Sequence, residues 1–164
     1  MGVDLNCERT FDDELVYRVM TSPEIWQTVA EDGQNPDDFN PNCDDDCWLL
    51  IDDRSELVGL YNLHASNSTT LMMHAQIMTD KRQEYSDRAG LEVWKWILNN
   101  CPNNYQKFNA MIPTIYPNVK NYADRMFMVL EGLNRKSYLK NGNICDQWMM
   151  GVTRDEIKEF LANE

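Results

Sequence analysis

Runs of alternating apolar and polar residues predict strands through the first half of the chain. Turn-forming residues bound these runs, which lie at about residues 2–8, 47–51, 57–63 and 69–78. Between the first two strands, apolar residues recur at intervals of three and four, and this spacing predicts two helices. Thr10 is expected to cap the first helix and Ser22 the second, with Pro23 in its first turn and Gly33 at its end.

The second half of the chain begins with a change to helical spacing between Gln83 and Asn99, ended by Pro102. The remaining predicted elements are a strand at 105–112, a helix at about 117–126, a hairpin of strands 129–138 and 144–152, and a final helix from Thr153. The order β-α-α-β-β-β-α-β-α-β-β-α predicts one α+β domain over residues 1–164. Its central sheet should be mixed, mostly antiparallel and flanked by helices.

The composition indicates a globular protein without a membrane span. The chain has 164 residues, of which 43% are hydrophobic and 10% aromatic. No apolar run approaches the ~18 residues that a spanning helix needs. The first residues lack the basic and apolar regions of a signal peptide, so a cytoplasmic location is expected.

The five cysteines and two histidines argue against a disulfide framework and against a metal site. The cysteine spacing is irregular and the number is odd. Cys43 and Cys47 bracket three aspartates, but a zinc site would need two further ligands, for which only His64 and His74 are available. Free thiols and no bound metal are therefore expected.

The net charge of −12 makes double-stranded nucleic acid a poor partner, because phosphate contacts need clustered Lys and Arg. The stretch from Glu31 to Asp53 has nine acidic residues and no basic one. It is either a solvated loop that aids solubility or a source of attraction for a cationic partner. The long segment 34–46 within it is predicted to be a loop, and loops of this length are often functional.

Four segments carry a resemblance to a known family of enzymes. They are Ser22–Trp26 with Glu31–Gly33, Val129–Ser137, Asn141–Gly142 with Asp146, and Met150–Glu156. Together with the element order, they resemble the GNAT superfamily of N-acetyltransferases, and in particular the acetyltransferase-like proteins of phage genomes. The resemblance implies the GNAT fold, acetyl-CoA as cofactor and an amine as acetyl acceptor. It also implies action in the host bacterial cytoplasm if the chain is phage-encoded.

The family's cofactor motif places Arg or Gln before two small residues, and the matching window here runs from Arg82 to Asp87. The arginine is kept, whereas Tyr85 and Asp87 stand in place of the small residues. Glycine lets the backbone turn and approach the pyrophosphate closely. The resemblance assigns cofactor contacts to the preceding strand, to this window and to the later helix: Gln76, Ile77, Met78, Arg82, Gln83, Glu84, Tyr85, Ser86 and Asn118.

Acetyl transfer also needs a base for the amine and an acid for the thiolate that leaves. His74 is the candidate base because it lies on the strand that leads to the cofactor loop and its ordinary pKa suits neutral pH. His64 has only its residue type in its favour. The family often uses a tyrosine after the fifth strand as the acid, and Tyr116 and Tyr122 are both candidates. Asn118 would either contact the cofactor or cap that helix.

The sequence therefore predicts an acetyl-CoA-dependent N-acetyltransferase. Its acceptor would be a protein lysine, a protein N-terminus or a small polyamine, and a cationic acceptor suits the acidic chain. The alternative is a catalytically retired GNAT scaffold that acts as an acidic protein-binding or inhibitor module. A monomer or a homodimer fits either function.

Overall fold

A computed structural model describes residues 5–164 of the chain. Seven strands form one mixed sheet in the order β1-β2-β3-β4-β5-β7-β6. The strands are β1 Asn6–Thr10, β2 Cys47–Asp53, β3 Glu56–Ala65, β4 Thr70–Ile77, β5 Lys107–Pro113, β6 Val129–Lys140 and β7 Asn143–Thr153. The pair β4 and β5 is parallel, and all other neighbouring strands are antiparallel. The predicted mixed, mostly antiparallel sheet is confirmed.

Five helices flank this sheet in the part of the chain that the structure describes. They are α1 Asp13–Met20, α2 Pro23–Val29, α3 Arg82–Asn100, α4 Pro117–Arg125 and α5 Arg154–Ala162. Short 3-10 turns occur at Pro36–Asp38 and Thr79–Lys81. The element order is the predicted one, β-α-α-β-β-β-α-β-α-β-β-α.

The helix ends differ from two of the sequence predictions. Thr10 is the last residue of β1, and Asp12 caps α1 by accepting the Leu15 backbone N–H at 3.0 Å. An ionised aspartate complements the positive end of the helix better than a hydroxyl does. The helix α2 already ends at Val29, so Gly33 does not end it but lies in the following turn, with φ of 85°. Residues 2–4 of the first predicted strand lie outside the described residues.

Two other local predictions are confirmed and a third is confirmed in part. Ser22 stands at the N-cap position of α2, directly before Pro23, but its hydroxyl donates to Val19 O at 2.7 Å and does not cap the helix. The predicted capping box is present at the start of α5, where Thr153 and Glu156 bind each other's backbone N–H. Asn141 and Gly142 join β6 to β7 with φ of 51° and 77°, the positive values that a tight hairpin turn requires.

Each face of the sheet is covered by a separate apolar cluster. On one face Tyr61 and Leu63 of β3 pack with Trp94 of α3, in the larger cluster that also includes Ile157 of α5. On the other face Leu60 of β3 belongs to the cluster with α1 and α2. Side chains alternate along a strand, so β3 and β4 each contribute residues to both faces.

Candidate active site

The strands β4 and β5 separate at their carboxyl ends. They pair only at Thr70–Lys107, Leu71–Phe108 and Met72–Asn109, although β4 continues to Ile77 and β5 to Pro113. The helix α3 follows β4 through a short turn, and α4 follows β5. A wedge-shaped gap with unpaired strand edges therefore opens between β4 and β5, in the middle of the sheet.

The backbone alternation of β4 decides which amides face this gap. The Met78 N–H donates to Val58 O at 2.9 Å, which extends the ladder between β4 and β3. Because hydrogen-bonded pairs alternate along an antiparallel ladder, Gln76 also directs its amide to β3. The Met73 amide is used in the last parallel pair with β5, at Asn109, so the amides of Ala75 and Ile77 are the ones that face the gap. Of the three predicted backbone contacts, Ile77 lies on the gap side, whereas Gln76 and Met78 use their amides within the sheet.

Arg82 is the first residue of α3 and lies beside the gap. Its Nε donates to Ile77 O at 3.1 Å, which ties the start of the helix to the end of β4. The predicted contacts Gln83, Glu84, Tyr85 and Ser86 follow in the first turns of α3. The first N–H groups of a helix have no partner within it and lie at the positive end of its dipole. This end of α3 is chemically suited to an anion.

The two residues that depart from the family motif each have a partner away from the loop. The Tyr85 hydroxyl donates to Asp53 Oδ2 at the end of β2, at 2.9 Å, and this bond raises the pKa of Tyr85. Asp87 accepts from Arg125 Nε of α4, with both oxygens at 3.0 and 3.1 Å. The negative charge of Asp87 is thus matched by an arginine, and the ion pair links α3 to α4.

Two imidazole rings stack on the face of the sheet that α1 and α2 cover. His74 of β4 lies against His64 of β3, with ring centroids 5.3 Å apart and 9° between the ring planes. His64 Nδ1 is 3.1 Å from Oδ1 of the buried Asn62, which pairs across the ladder with His74. Although His74 keeps an exposed surface, desolvation by the surrounding protein and then the neighbouring His64 lower the pKa of His74. A neutral imidazole can accept a proton from an amine.

Tyr122 of α4 lies on the opposite face, with its hydroxyl inside a hydrogen-bond network. It donates to Ser86 O of α3 at 2.8 Å, and its oxygen lies 2.5 Å from the Tyr61 hydroxyl. Burial raises the pKa of Tyr122 to about 12. Gly90 makes this contact possible, because a Cβ at that position would lie 2.6 Å from the Tyr122 oxygen. The hydroxyl joins α3 and α4, in addition to any role as a proton donor.

Tyr116 and Asn118 lie at the start of α4. Tyr116 is the N-cap residue, and its backbone N–H donates to Pro113 O at 2.9 Å. Burial and then the charge of Cys145 raise the pKa of Tyr116, which places the side chain near β7. Asn118 is exposed at the second helical position and makes no cap, so the alternative role as a cap is wrong. Its amide remains available for other contacts.

The segment from Glu24 to Asp32, which contains most of α2, is bound on both sides of the gap. Near the start of α2, Glu24 Oε1 accepts the Thr79 N–H beyond β4 at 3.1 Å. After the end of α2, Asp32 accepts the N–H groups of Asn141 and Gly142 at the hairpin tip, at 3.0 and 2.7 Å.

The acidic stretch does not form one surface. Glu31 and Asp32 bind the hairpin tip, and Asp53 binds Tyr85. Asp44 and Asp45 are exposed just before β2, whose start pairs with the end of β1. They therefore lie at the opposite end of the sheet from the mouth of the gap. Part of the charge thus has a structural role.

The model of a protein family described as "Protein of unknown function (DUF2824)" matches residues 13–163. The chain belongs to the DUF2824 family. No curated protein sequence matches it.

Solved structures share the fold at low sequence identity. A spermidine N-acetyltransferase from Vibrio cholerae in complex with CoA and spermine has a TM-score of 0.78 and 13% identity, over 96% of this chain and 99% of that one. Mutant forms of the spermidine/spermine N-acetyltransferase SpeG from Vibrio cholerae have a TM-score of 0.78 and 11% identity, over 97% and 99%. A dodecameric structure of the Vibrio cholerae enzyme has a TM-score of 0.74 and 12% identity, over 99% and 100%. This DUF2824 chain has the GNAT fold.

Sequence reasoning missed the cluster of Asn62, His64 and His74. A signal was present, because the turn at residues 66–68 fixes the register between β3 and β4 and so places residue 62 opposite residue 74. The hydrogen bond between Asn62 and His64 follows from their spacing of two, which puts both on one face. Glu24 was missed because nothing in its local sequence indicates a contact with Thr79.

Residues 5–164 contain no candidate metal site, no disulfide and no membrane-spanning helix. No group of three or more His, Cys, Asp or Glu side chains there could hold a metal ion. All five cysteines are free, and burial raises the pKa of Cys7 and of Cys43 to about 12. No described helix is long and apolar enough to cross a membrane.

Proposed function

We propose that the protein is an acetyl-CoA-dependent N-acetyltransferase. The observation that carries this proposal is the parting of β4 from β5 after Met72 and Asn109, beside the start of α3. Solved structures with this fold include one that holds CoA and spermine. Since fold does not determine function, the proposal rests on the fit of the residues around the gap.

The residues present fit the cofactor in two respects. The gap-facing amides of Ala75 and Ile77 are donors for the polar groups of a pantetheine arm. Arg82 and the free N–H groups that follow it at the start of α3 are donors for a pyrophosphate. When bound, acetyl-CoA would supply an activated acetyl thioester. Asn118, exposed at the start of α4, would be a further contact from the other side of the gap.

The proton of the acceptor amine would pass to the neutral ring of His74. The lowered pKa of His74 keeps the imidazole unprotonated at neutral pH, so it can accept a proton from an ammonium group that must become nucleophilic. Tyr122 and Tyr116 remain the candidates for the proton donor to the leaving thiolate. In this structure the Tyr122 hydroxyl is occupied by Ser86 O, whereas Tyr116 has no side-chain partner among residues 5–164.

Cofactor binding is the decisive test. At ~100 times its Kd, a ligand that binds only the folded state adds about 2.7 kcal/mol to the free energy of unfolding. We expect acetyl-CoA and CoA to raise the Tm, and Arg82→Ala to weaken binding by ~10-fold or more, as loss of a charge-assisted contact does. Arg135→Ala is the matched control, because Arg135 lies in the edge strand β6. Equal affinities for the two variants would mean that the phosphate site was misplaced.

The acceptor would be a cation. The net charge of −12 supports this, as does spermine in the complex named above. Spermidine, spermine and lysine peptides should be compared as acceptors by mass spectrometry of the acetylated product. The protein would act as a monomer or a homodimer. The host bacterial cytoplasm would be the place of action for a phage-encoded protein.

One observation favours the alternative of a retired GNAT scaffold that binds a basic protein. The Glu24 carboxylate already holds the Thr79 N–H, directly before α3, so a protein anion lies near the predicted phosphate site. The Thr79 hydrogen bond lowers the pKa of Glu24, and the charge of Arg82 adds to this. The absence of any Tm shift at millimolar acetyl-CoA would remove the enzyme hypothesis and leave this alternative.

A further inference from the structure

The two histidines of the stacked pair are the only histidines in the chain. Their rings are nearly parallel, with centroids 5.3 Å apart. Two charged rings at this distance repel each other, so a proton on one ring lowers the affinity of the other ring for a proton.

Asn62 holds the His64 ring in place beside His74. The Asn62 side chain is only 7% exposed, and its Oδ1 lies 3.1 Å from His64 Nδ1. An amide oxygen can only accept, so it pairs with this nitrogen when Nδ1 carries a proton. Nothing comparable holds His74, whose side chain has no hydrogen bond among residues 5–164.

The charged groups on the neighbouring elements are matched elsewhere. On β5 and β6, Lys107 and Glu131 form an ion pair with each other. On the helices that cover this face, Asp13 of α1 accepts the Cys43 N–H and Glu24 of α2 accepts the Thr79 N–H. The remaining charges of these two helices, Glu14 and Arg18, are exposed. His64 is thus the ionisable group in direct contact with His74.

We propose that His64, oriented by the buried Asn62, is a positioning residue that disfavours protonation of His74, on the face of the sheet that α1 and α2 cover. His74 is then the group that receives the proton of the acceptor amine. This second part rests on the proposed acetyl transfer, whereas the coupling between the two rings does not.

The coupling can be measured directly by NMR titration of the imidazole protons, because the protein without an affinity tag gives only two sets of signals. His74→Asn assigns them. In the unmodified protein we expect His74 to stay neutral to a pH below the ordinary range of a histidine. In His64→Asn, whose amide can still donate to Asn62 Oδ1, the pKa of His74 should rise by about half a unit or more, the effect of removing one charge at this distance. His64→Phe keeps a stacked ring without charge and should give the same shift.

Catalysis provides a separate measurement. In His64→Asn, the acidic limb of kcat/KM should move to higher pH by the same amount as the pKa of His74, with the plateau above pH 8 retained. Loss of activity at all pH values would indicate a structural role and overturn the positioning role. An unchanged pKa of His74 in both variants would overturn the coupling. If the two rings are coupled but the protein does not bind acetyl-CoA, the proposed function is refuted and the coupling stands.

Discussion

Removal of the Tyr122 hydroxyl should have a larger effect on stability than removal of the Tyr61 hydroxyl, although the two share one hydrogen bond. Tyr122 both donates to Ser86 O and accepts from Tyr61. In Tyr122→Phe, the Tyr61 hydroxyl keeps its proton but loses its acceptor, in a side chain that is only 2% exposed. In Tyr61→Phe, Tyr122 can still donate to Ser86 O.

The expected magnitudes follow from this difference. A buried donor without a partner costs about 1–3 kcal/mol, whereas loss of one hydrogen bond whose remaining group is still satisfied costs about 0.5–1.5 kcal/mol. The double variant removes both hydroxyls, so no donor is left unpaired, and its cost should be smaller than the sum of the two single costs. For a protein of this size, each kcal/mol corresponds to a Tm change of roughly 2–4 °C.

Urea unfolding of the unmodified protein and of the three variants would give the coupling energy as a double-mutant cycle. Tyr17→Phe is the matched control, because the Tyr17 hydroxyl binds no other described side chain; it should change stability by less than ~0.5 kcal/mol. Equal costs for Tyr61→Phe and Tyr122→Phe, or strict additivity in the double variant, would refute the network. A loss of kcat in Tyr122→Phe that is absent in Tyr61→Phe would show a chemical role besides the structural one.

Three further outcomes are expected. Gly59→Ala should destabilise the fold by ~1–3 kcal/mol or more in urea unfolding, because its Cβ would lie 2.5 Å from the Gln76 carbonyl oxygen, which is backbone and cannot swing away. Asp32→Asn should lower stability at neutral pH more than Asp37→Asn does, because the hairpin N–H groups bind the Asp32 carboxylate and lower its pKa. The contribution of Asp32 to stability is present above its ordinary pKa near 3.8 and disappears as the pH falls through the lowered value. A pH series of melting curves would show this loss. The Cys43 thiol, with its pKa raised to about 12, should resist iodoacetamide at pH 8 until the protein unfolds, as read by mass spectrometry.

The element order was predictable because most of its signals are local. Pro23 after Ser22, the capping box of Thr153 with Glu156, and the turn at Asn141 and Gly142 each act within a few residues, and all three are present. The end of α2 was not predictable in this way. Glycine at position 33 resembles a helix end, but the helix stops at Val29 because the next residues bind the hairpin tip more than 100 positions away.

The sequence predicted those residues of the candidate site that lie on β4 or directly after it, but not their partners. His74 and Arg82 could be placed beside the gap because they lie on and directly after β4. The partners of the site residues come from elsewhere in the chain: Tyr61 reaches Tyr122, and Glu24 reaches Thr79. Contacts of this kind depend on how helices pack on the sheet, and a single sequence holds no local signal for them.

The missing glycines of the cofactor motif also show how a local sequence signal differs from the contacts that form in the fold. Glycine is required only where the backbone adopts positive φ or another chain approaches closely, and the positive-φ positions of the described chain do not include any residue of the window from Arg82 to Asp87. The window is helical, so its side chains leave the helix in directions set by the helical turn, Tyr85 towards β2 and Asp87 towards α4. Both side chains are held by partners away from the first N–H groups of α3, so the bulk of Tyr85 and the charge of Asp87 are not by themselves evidence against cofactor binding.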